Sequence, residues 1–442
     1  MTSKETTVDS TAAGPPRTLA GKFVLAVTVG GIIGLGILRS PGKIAAVAPN
    51  PYLYLSLWLG AGLFVLLTLG VVAELIGMTP RSGGTYALVR HAYGPFSGFV
   101  IGWADWVSFT ADIAMKAVVI VEFTAILFPD LRLWLTPIAI MVTTAFAAFQ
   151  LRGITTSAMI QQTVTSVVGL AIVVFALFLF FAEPVVISPS DQIPEVKTGL
   201  QAWSLVLATI IFTYDGWLYA SYFSGEIKGG AGAVARTCVR GTVVVIVLFL
   251  LINLAMVVSV PLPLLAGNEF ALSRALELAV SPFASTAVVV AAIVILLSQQ
   301  NQLYMGGPRV LQALATDGLA VKRAETMGER GNPIFAVVIT WALSIVMMMA
   351  GGFEFLVQLC VFLFVPLYVA LIIGILILRK REPDTARPFR AWGHPYSTFI
   401  VLIGWIMISA FQAYADKEIA LYALGLVALA WPVYWYLKKK AQ

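Results

Sequence analysis

Charge, cysteine and secretory signals are all scarce in this chain, and each scarcity excludes something. Only 11% of its 442 residues are charged, where a soluble domain carries roughly 25%. Water would not dissolve that surface, so an ordinary soluble enzyme or binding domain is excluded. The first twenty residues are polar, contain Pro15-Pro16 and lack the apolar core of a cleavable signal peptide. Two cysteines, Cys238 and Cys360, fall at different expected depths, so no disulfide joins them. No Asn-x-Ser/Thr acceptor occurs, so nothing points to secretory glycosylation. No metal and no cofactor are expected.

What fills the chain instead is apolar sequence, 60% of the residues. Apolar runs long enough to cross a hydrocarbon core of about 30 Å recur along nearly the whole length. Twelve spans are predicted, at 19–47, 52–78, 95–127, 134–149, 156–181, 202–223, 239–260, 282–304, 334–350, 353–378, 396–414 and 419–437. With both termini cytoplasmic, 21 of the 28 Lys and Arg fall on tails and inner loops, which fixes the orientation. The net charge of +6 is then a topology signal, and no nucleic-acid partner is implied. The expected class is an all-α, multi-pass plasma-membrane protein of bacterial type, embedded in lipid. It divides into a cytoplasmic tail 1–18, a core 19–378, two additional helices within 396–437 and a tail 438–442.

Two of these spans contain breaks. Gly30-Gly31-Ile32-Ile33-Gly34-Leu35-Gly36 holds four glycines in seven residues, and Phe212-Thr213-Tyr214-Asp215-Gly216-Trp217 sets a carboxylate beside a glycine in mid-span. Lipid cannot satisfy freed backbone groups, so a helix unwinds in a membrane only beside buried protein or a water-lined cavity. Breaks in the first and sixth spans are the pointer to a transporter site between repeats, here two inverted five-helix repeats, 19–182 and 200–378. An unwound first span presents a carbonyl end and an amide end of opposite partial charge, which match the ammonium and carboxylate of an amino acid. The alternative is that the glycines only let helices pack closely; their density favours the site. Asp215 is functional by default at that depth, either meeting a substrate cation or pairing with Lys116.

The third span carries Asp105, Ser108, Asp112 and Lys116 at spacings of 3, 4 and 4, one stripe on one helix face. Asp112 and Lys116 can neutralise each other, or Asp105, Asp112 and Lys116 can serve coupling. Glu74 and Glu122, near span ends, are expected to reach water. Arg39 and Lys43 either steer anions or snorkel. Trp134, Trp392 and Trp431 read as interface anchors.

The chain resembles the amino acid–polyamine–organocation (APC) superfamily, particularly the L-type amino acid transporters and related bacterial permeases. The resemblance rests on Gly30–Leu38 followed by Ser40-Pro41, on Pro80-Arg81-Ser82-Gly83-Gly84-Thr85-Tyr86 with Ala92-Tyr93-Gly94-Pro95, on Phe212–Trp217 with Glu226-Ile227-Lys228, and on Asn301, Arg309 and Asp317-Gly318. It covers residues 19 to 378. It implies a LeuT-type fold of two inverted five-helix repeats plus two C-terminal helices, with spans 1 and 6 discontinuous. It implies a secondary active transporter, antiporter or proton symporter, working by alternating access on amino acids; polyamines or other amines are the alternative substrate class. The implied substrate-binding residues are Gly31, Ile32, Gly34, Leu35, Gly36, Phe212, Tyr214, Asp215, Gly216 and Trp217. Ile32 would offer a carbonyl, Leu35 and Gly36 amides, and Phe212 the aromatic that closes the site. Asp215 matches a position where members handling cationic amino acids also carry Asp.

Three departures stand out. Leu35 replaces the family's serine, and an apolar residue near Val168 replaces a fifth-span lysine, for which Lys116 is a possible substitute. The loop 128–135 lacks the cysteine that joins animal members to an ancillary glycoprotein, so no disulfide-linked subunit is expected. An intramembrane aspartyl protease needs a second Asp where Ile37 stands, and a channel needs a filter or charge ring. Neither is found, so no enzymatic activity is expected.

Overall fold

The computed structural model describes residues 19–189, 193–351, 353–415 and 417–441; the expected N-terminal tail and Gln442 lie outside them. Among the described residues every regular element is helical, and the single β-type contact joins Leu19 to Ile227. The helices are α1 (Gly21–Ile32), α2 (Leu35–Ala45), α3 (Pro51–Met78), α4 (Gly84–Tyr93), α5 (Pro95–Leu127), α6 (Leu135–Phe149), α7 (Ile154–Phe181) and α8 (Leu200–Thr213). There follow α9 (Gly230–Ser259), α10 (Leu262–Leu265), α11 (Ala271–Ala279), α12 (Pro282–Thr316), α13 (Ile334–Ala350), α14 (Phe353–Arg381), α15 (Tyr396–Ala415), α16 (Lys417–Ala428) and α17 (Ala430–Ala441).

Local sequence explains where the long helices start. Asn50 caps α3 by accepting from the amides of Tyr52 and Leu53, with Pro51 as the first helical residue. Ser281 caps α12 in the same way, ahead of Pro282. At the other end of the chain the predicted span 419–437 is two helices, parted at Leu429. Pro432 lies just beyond, and its missing N–H and bulky ring oppose continuous helix there.

Nine segments of the described chain are long and apolar enough to cross a membrane. The three predicted spans outside that set fail for separate reasons. Helix α5 has 33 residues but carries Asp105, Asp112, Lys116 and Glu122. Helix α8 stops after 14 residues at the second break, and α13 has 17. The predicted end of the eighth span at Tyr304 is corrected: α12 runs on through Pro308 to Thr316.

Helix α5 forms the axis of the packing, touching α12, α14, α4, α13 and α6, while α3 lies along α9 and α1 along α9 and α7. One expectation about charge fails here. Glu74 does not reach water: it is 1% exposed, bound by Arg379 at 2.6 Å and Arg387 at 3.0 Å, and accepts the Ala391 amide at 2.7 Å. Glu122 is partly exposed, as expected, and also pairs with Arg39 at 3.3 Å, whose guanidinium lies over the rings of Phe123 and Phe270. Trp134, Trp392 and Trp431 are exposed, as interface anchors would be.

Candidate functional site

Both glycine-rich segments are broken helices. Helix α1 ends at Ile32, Ile33 and Gly34 are extended, and α2 starts at Leu35. Helix α8 ends at Thr213, residues 214–218 are not helical, and a 3₁₀ segment runs from Tyr219 to Glu226. The breaks lie against each other. Gly216 has φ of +106°, and a Cβ there would stand 2.5 Å from the carbonyl oxygen of Gly31. No other residue satisfies both the left-handed backbone and that approach. Nearby, the hydroxyls of Ser40 on α2 and Thr213 on α8 bond at 2.5 Å.

Two adjoining cavities flank this junction. One is lined by Asp105, Ser108, Asp112 and Asp215 with aromatic rings that include Phe109, Phe212, Tyr219 and Tyr368. The other lies at the first break, lined by Gly31, Ile32, Gly34, Leu35 and Gly36 with Lys116 and Gln299. Phe212, Asp215, Asp112 and Tyr219 line both and form the wall between them. Of the ten residues expected at the site, eight line one cavity or both, counting Gly216 in the first. Tyr214 and Trp217 line neither. Tyr214 turns away from the cavities into the core, donates to the Trp58 carbonyl at 3.1 Å and packs on Phe249. Trp217 is fully buried behind the site, stacked on Tyr368 at 5.1 Å.

The stripe on α5 is present, and its charges are distributed unequally. Lys116 bonds Asp112 at 2.7 Å, one helical turn away. Asp215 instead accepts a hydrogen bond from the Tyr368 hydroxyl, so the alternative in which Lys116 pairs with Asp215 is not the arrangement seen. Asp105 accepts from Thr85 and from Tyr222, the latter at 2.9 Å, tying α5 to α4 and to the 3₁₀ segment after the second break. On the fifth predicted span the groups that meet α1 are polar. Thr165 donates to the Ala26 carbonyl at 3.2 Å, and Gln161 donates to Gln302 at 3.0 Å. Val168 is buried in the apolar core.

Sequence reasoning missed three groups that line these cavities, Gln299, Tyr368 and Tyr222. Gln299 donates to the Gly31 carbonyl, in the last turn of α1, and Gln302, lining neither cavity, donates to the Val27 carbonyl one turn earlier, both at 3.0 Å. A signal did exist, in the run Ser298-Gln299-Gln300-Asn301-Gln302 in the middle of an otherwise apolar helix.

The family pattern described as "Amino acid permease" matches residues 22–432. The chain belongs to that family, within the APC superfamily. Its relatives include the serine/threonine exchanger SteT of Bacillus subtilis (strain 168), 24% identical over 431 residues, with 95% of this chain and 96% of the relative covered. The gamma-aminobutyric acid permease of the same organism is 24% identical, covering 92% and 89%. The b(0,+)-type amino acid transporter 1 of Mus musculus is 26% identical, covering 83% and 77%. These relatives are transporters and not enzymes.

In this permease the remaining motif residues gather away from the breaks. Arg309 is 1% exposed and bonds Glu226 at 2.7 Å, with its guanidinium over Phe223. The Leu19 amide donates to the Glu226 carbonyl, and the Lys228 amide to that of Leu19. Arg81, Arg90 and Tyr86 converge on Asp317 at 3.0, 2.5 and 2.7 Å. The segments 80–86, 226–228 and 309–318 are therefore bonded together at the end of the molecule where α1 begins. Both cysteines are buried and free.

Proposed function

We propose that the protein is a secondary active transporter of amino acids across the plasma membrane, working by alternating access. The reading takes the molecule as twelve spans in two inverted five-helix repeats plus two helices, with both termini cytoplasmic. The observation that carries it is the meeting of two broken helices over one cavity pair, with the end of α1 and the start of α2 lining the cavity at the first break. A zwitterion matches those ends: its carboxylate at the start of α2, around Gly34–Gly36, and its ammonium at the end of α1, around Gly31 and Ile32. Phe212, on the wall between the cavities, is the group that shuts water out of the filled site. Asp215 faces both cavities, while Lys116 is already neutralised by Asp112. That supports Asp215 as the partner of a cationic substrate side chain, or of an amine if the substrate lacks a carboxylate. The buried, free cysteines support a chain that works without a disulfide-linked subunit.

Internal neutralisation of Lys116 supports exchange of one substrate for another. A second reading, proton symport, is favoured by Asp105, which is buried between two hydroxyl donors with no ion pair among the described residues. Purified protein in liposomes tests both. Uptake of a labelled amino acid that requires unlabelled amino acid inside supports exchange. Uptake that rises as outside pH falls, with a profile flattened by Asp105→Asn, supports proton coupling. Uptake of diamines uncontested by amino acids supports the amine reading. Absence of any amino acid or amine uptake or exchange would overturn the proposal.

A further inference from the structure

Gln299 on α12 lies over the first break with its carboxamide against Gly34: a Cβ on that glycine would fall on the Gln299 amide group. Its Nε2 donates to the Gly31 carbonyl at 3.0 Å. A carbonyl only accepts, so this bond fixes which way the amide faces. The other end, Oε1, is thereby an acceptor at the break. Gln299 is 5% exposed and lines the cavity there, yet Oε1 is buried without a hydrogen-bond partner among the described residues. A buried acceptor without a donor is destabilising; Gln300 Oε1 on the same helix is also without one but lines neither cavity, so Gln299 Oε1 is the one placed where a ligand can supply the donor. Gln302, three residues on, makes the same donation to Val27, but its Oε1 is satisfied by Gln161 and it lines neither cavity.

We infer that Gln299 Oε1 is an acceptor for the α-ammonium of the substrate, acting with the carbonyl end of α1. One side chain then does two things at the break. It neutralises part of the carbonyl end through Nε2, and it reads the presence of an N–H donor through Oε1. A ligand with hydroxyl or hydrogen in place of the α-amino group loses most of that reading. The inference deepens the proposed transport function and rests on it.

The test compares ligand-induced thermal shifts of detergent-purified protein for L-leucine, L-arginine and L-serine, each against its α-hydroxy analogue (2-hydroxyisocaproate, argininic acid and glycerate). Wild type is expected to prefer the amino acid, and Gln299→Met to shrink that preference by about tenfold or more, the worth of one hydrogen bond to a charged group. Gln302→Met, which removes the bond from α12 to the Val27 carbonyl within α1, should lower thermal stability while leaving the preference intact. Gln299→Glu keeps the acceptor and should retain the preference, which guards against a Met variant that fails to fold. An unchanged preference in Gln299→Met, or an equal loss in Gln302→Met, would overturn this inference alone. No shift with any amino acid in wild type would overturn the transport reading and this one with it.

Discussion

At the first break the chain presents almost nothing but backbone: Ile33 and Gly34 extended, glycines on either side, and its polar neighbour Gln299 supplied by a helix more than 250 residues away. At the second break the chemistry is carried by the chain itself, with Asp215 beside a left-handed glycine and Phe212 one turn before it. In the transport reading the difference has a physical sense. Backbone carbonyls and amides recognise what all amino acids share, whereas a carboxylate and aromatic rings recognise what distinguishes them. The teaching of the pair is that one geometric device, an unwound helix, serves generality when it is bare and selectivity when it is charged.

The comparison breaks most severely where the two segments touch. Gly216→Ala forces a Cβ into the Gly31 carbonyl at a positive φ, so both breaks must shift together. Transport in liposomes should be abolished while folded protein is still recovered in detergent. Retained uptake would show that the contact is dispensable. Next in size is the charge pair beside them. Asp112→Asn strands Lys116 in the interior at about 3–5 kcal/mol, read as a large fall in melting temperature, and the double change with Lys116→Met should restore most of it. If the single variant is as stable as wild type, the pair is not what neutralises Lys116.

Asp215→Asn sharpens the contrast directly. It should weaken cationic substrates by about 10–100-fold, the loss of a charge-assisted bond, and spare neutral ones, in competition against a labelled substrate. Equal weakening of both would move Asp215 to the shared recognition of the first break. The smallest effect is expected at Leu35, the first residue of α2 on the cavity wall. Leu35→Ser offers a hydroxyl near the amide end, and should change apparent affinity by only a few-fold, about the worth of one neutral hydrogen bond, for neutral and cationic substrates alike.

The breaks were legible because their cause is local. Four glycines within Gly30–Gly36, and Asp215-Gly216 in mid-span, oppose continuous helix whatever surrounds them. The acidic stripe of α5 was legible too, since helical spacing alone puts Asp105, Asp112 and Lys116 on one face. Side-chain direction past the second break was not. Tyr214 and Trp217 sit in a segment without helical periodicity, and packing on Trp58, Phe249 and Tyr368 turned both away from the cavities. Glu74 misled for a related reason: its position near a helix end suggested water, but Arg379 and Arg387 arrive from more than 300 residues away to bury it.

By itself, then, the sequence determined that the chain is a bundle of apolar helices, where two of them come apart and that Asp105, Asp112 and Asp215 lie within its apolar spans. Those properties follow from hydrophobic length, glycine content and the helical repeat, all of which act within a few turns. Tertiary structure alone decided that the two breaks meet at Gly31 and Gly216, that Lys116 answers Asp112 while Asp215 takes Tyr368, and that Gln299 closes over the first break. Partners of that kind are chosen by how distant helices pack, and no spacing along the chain records it.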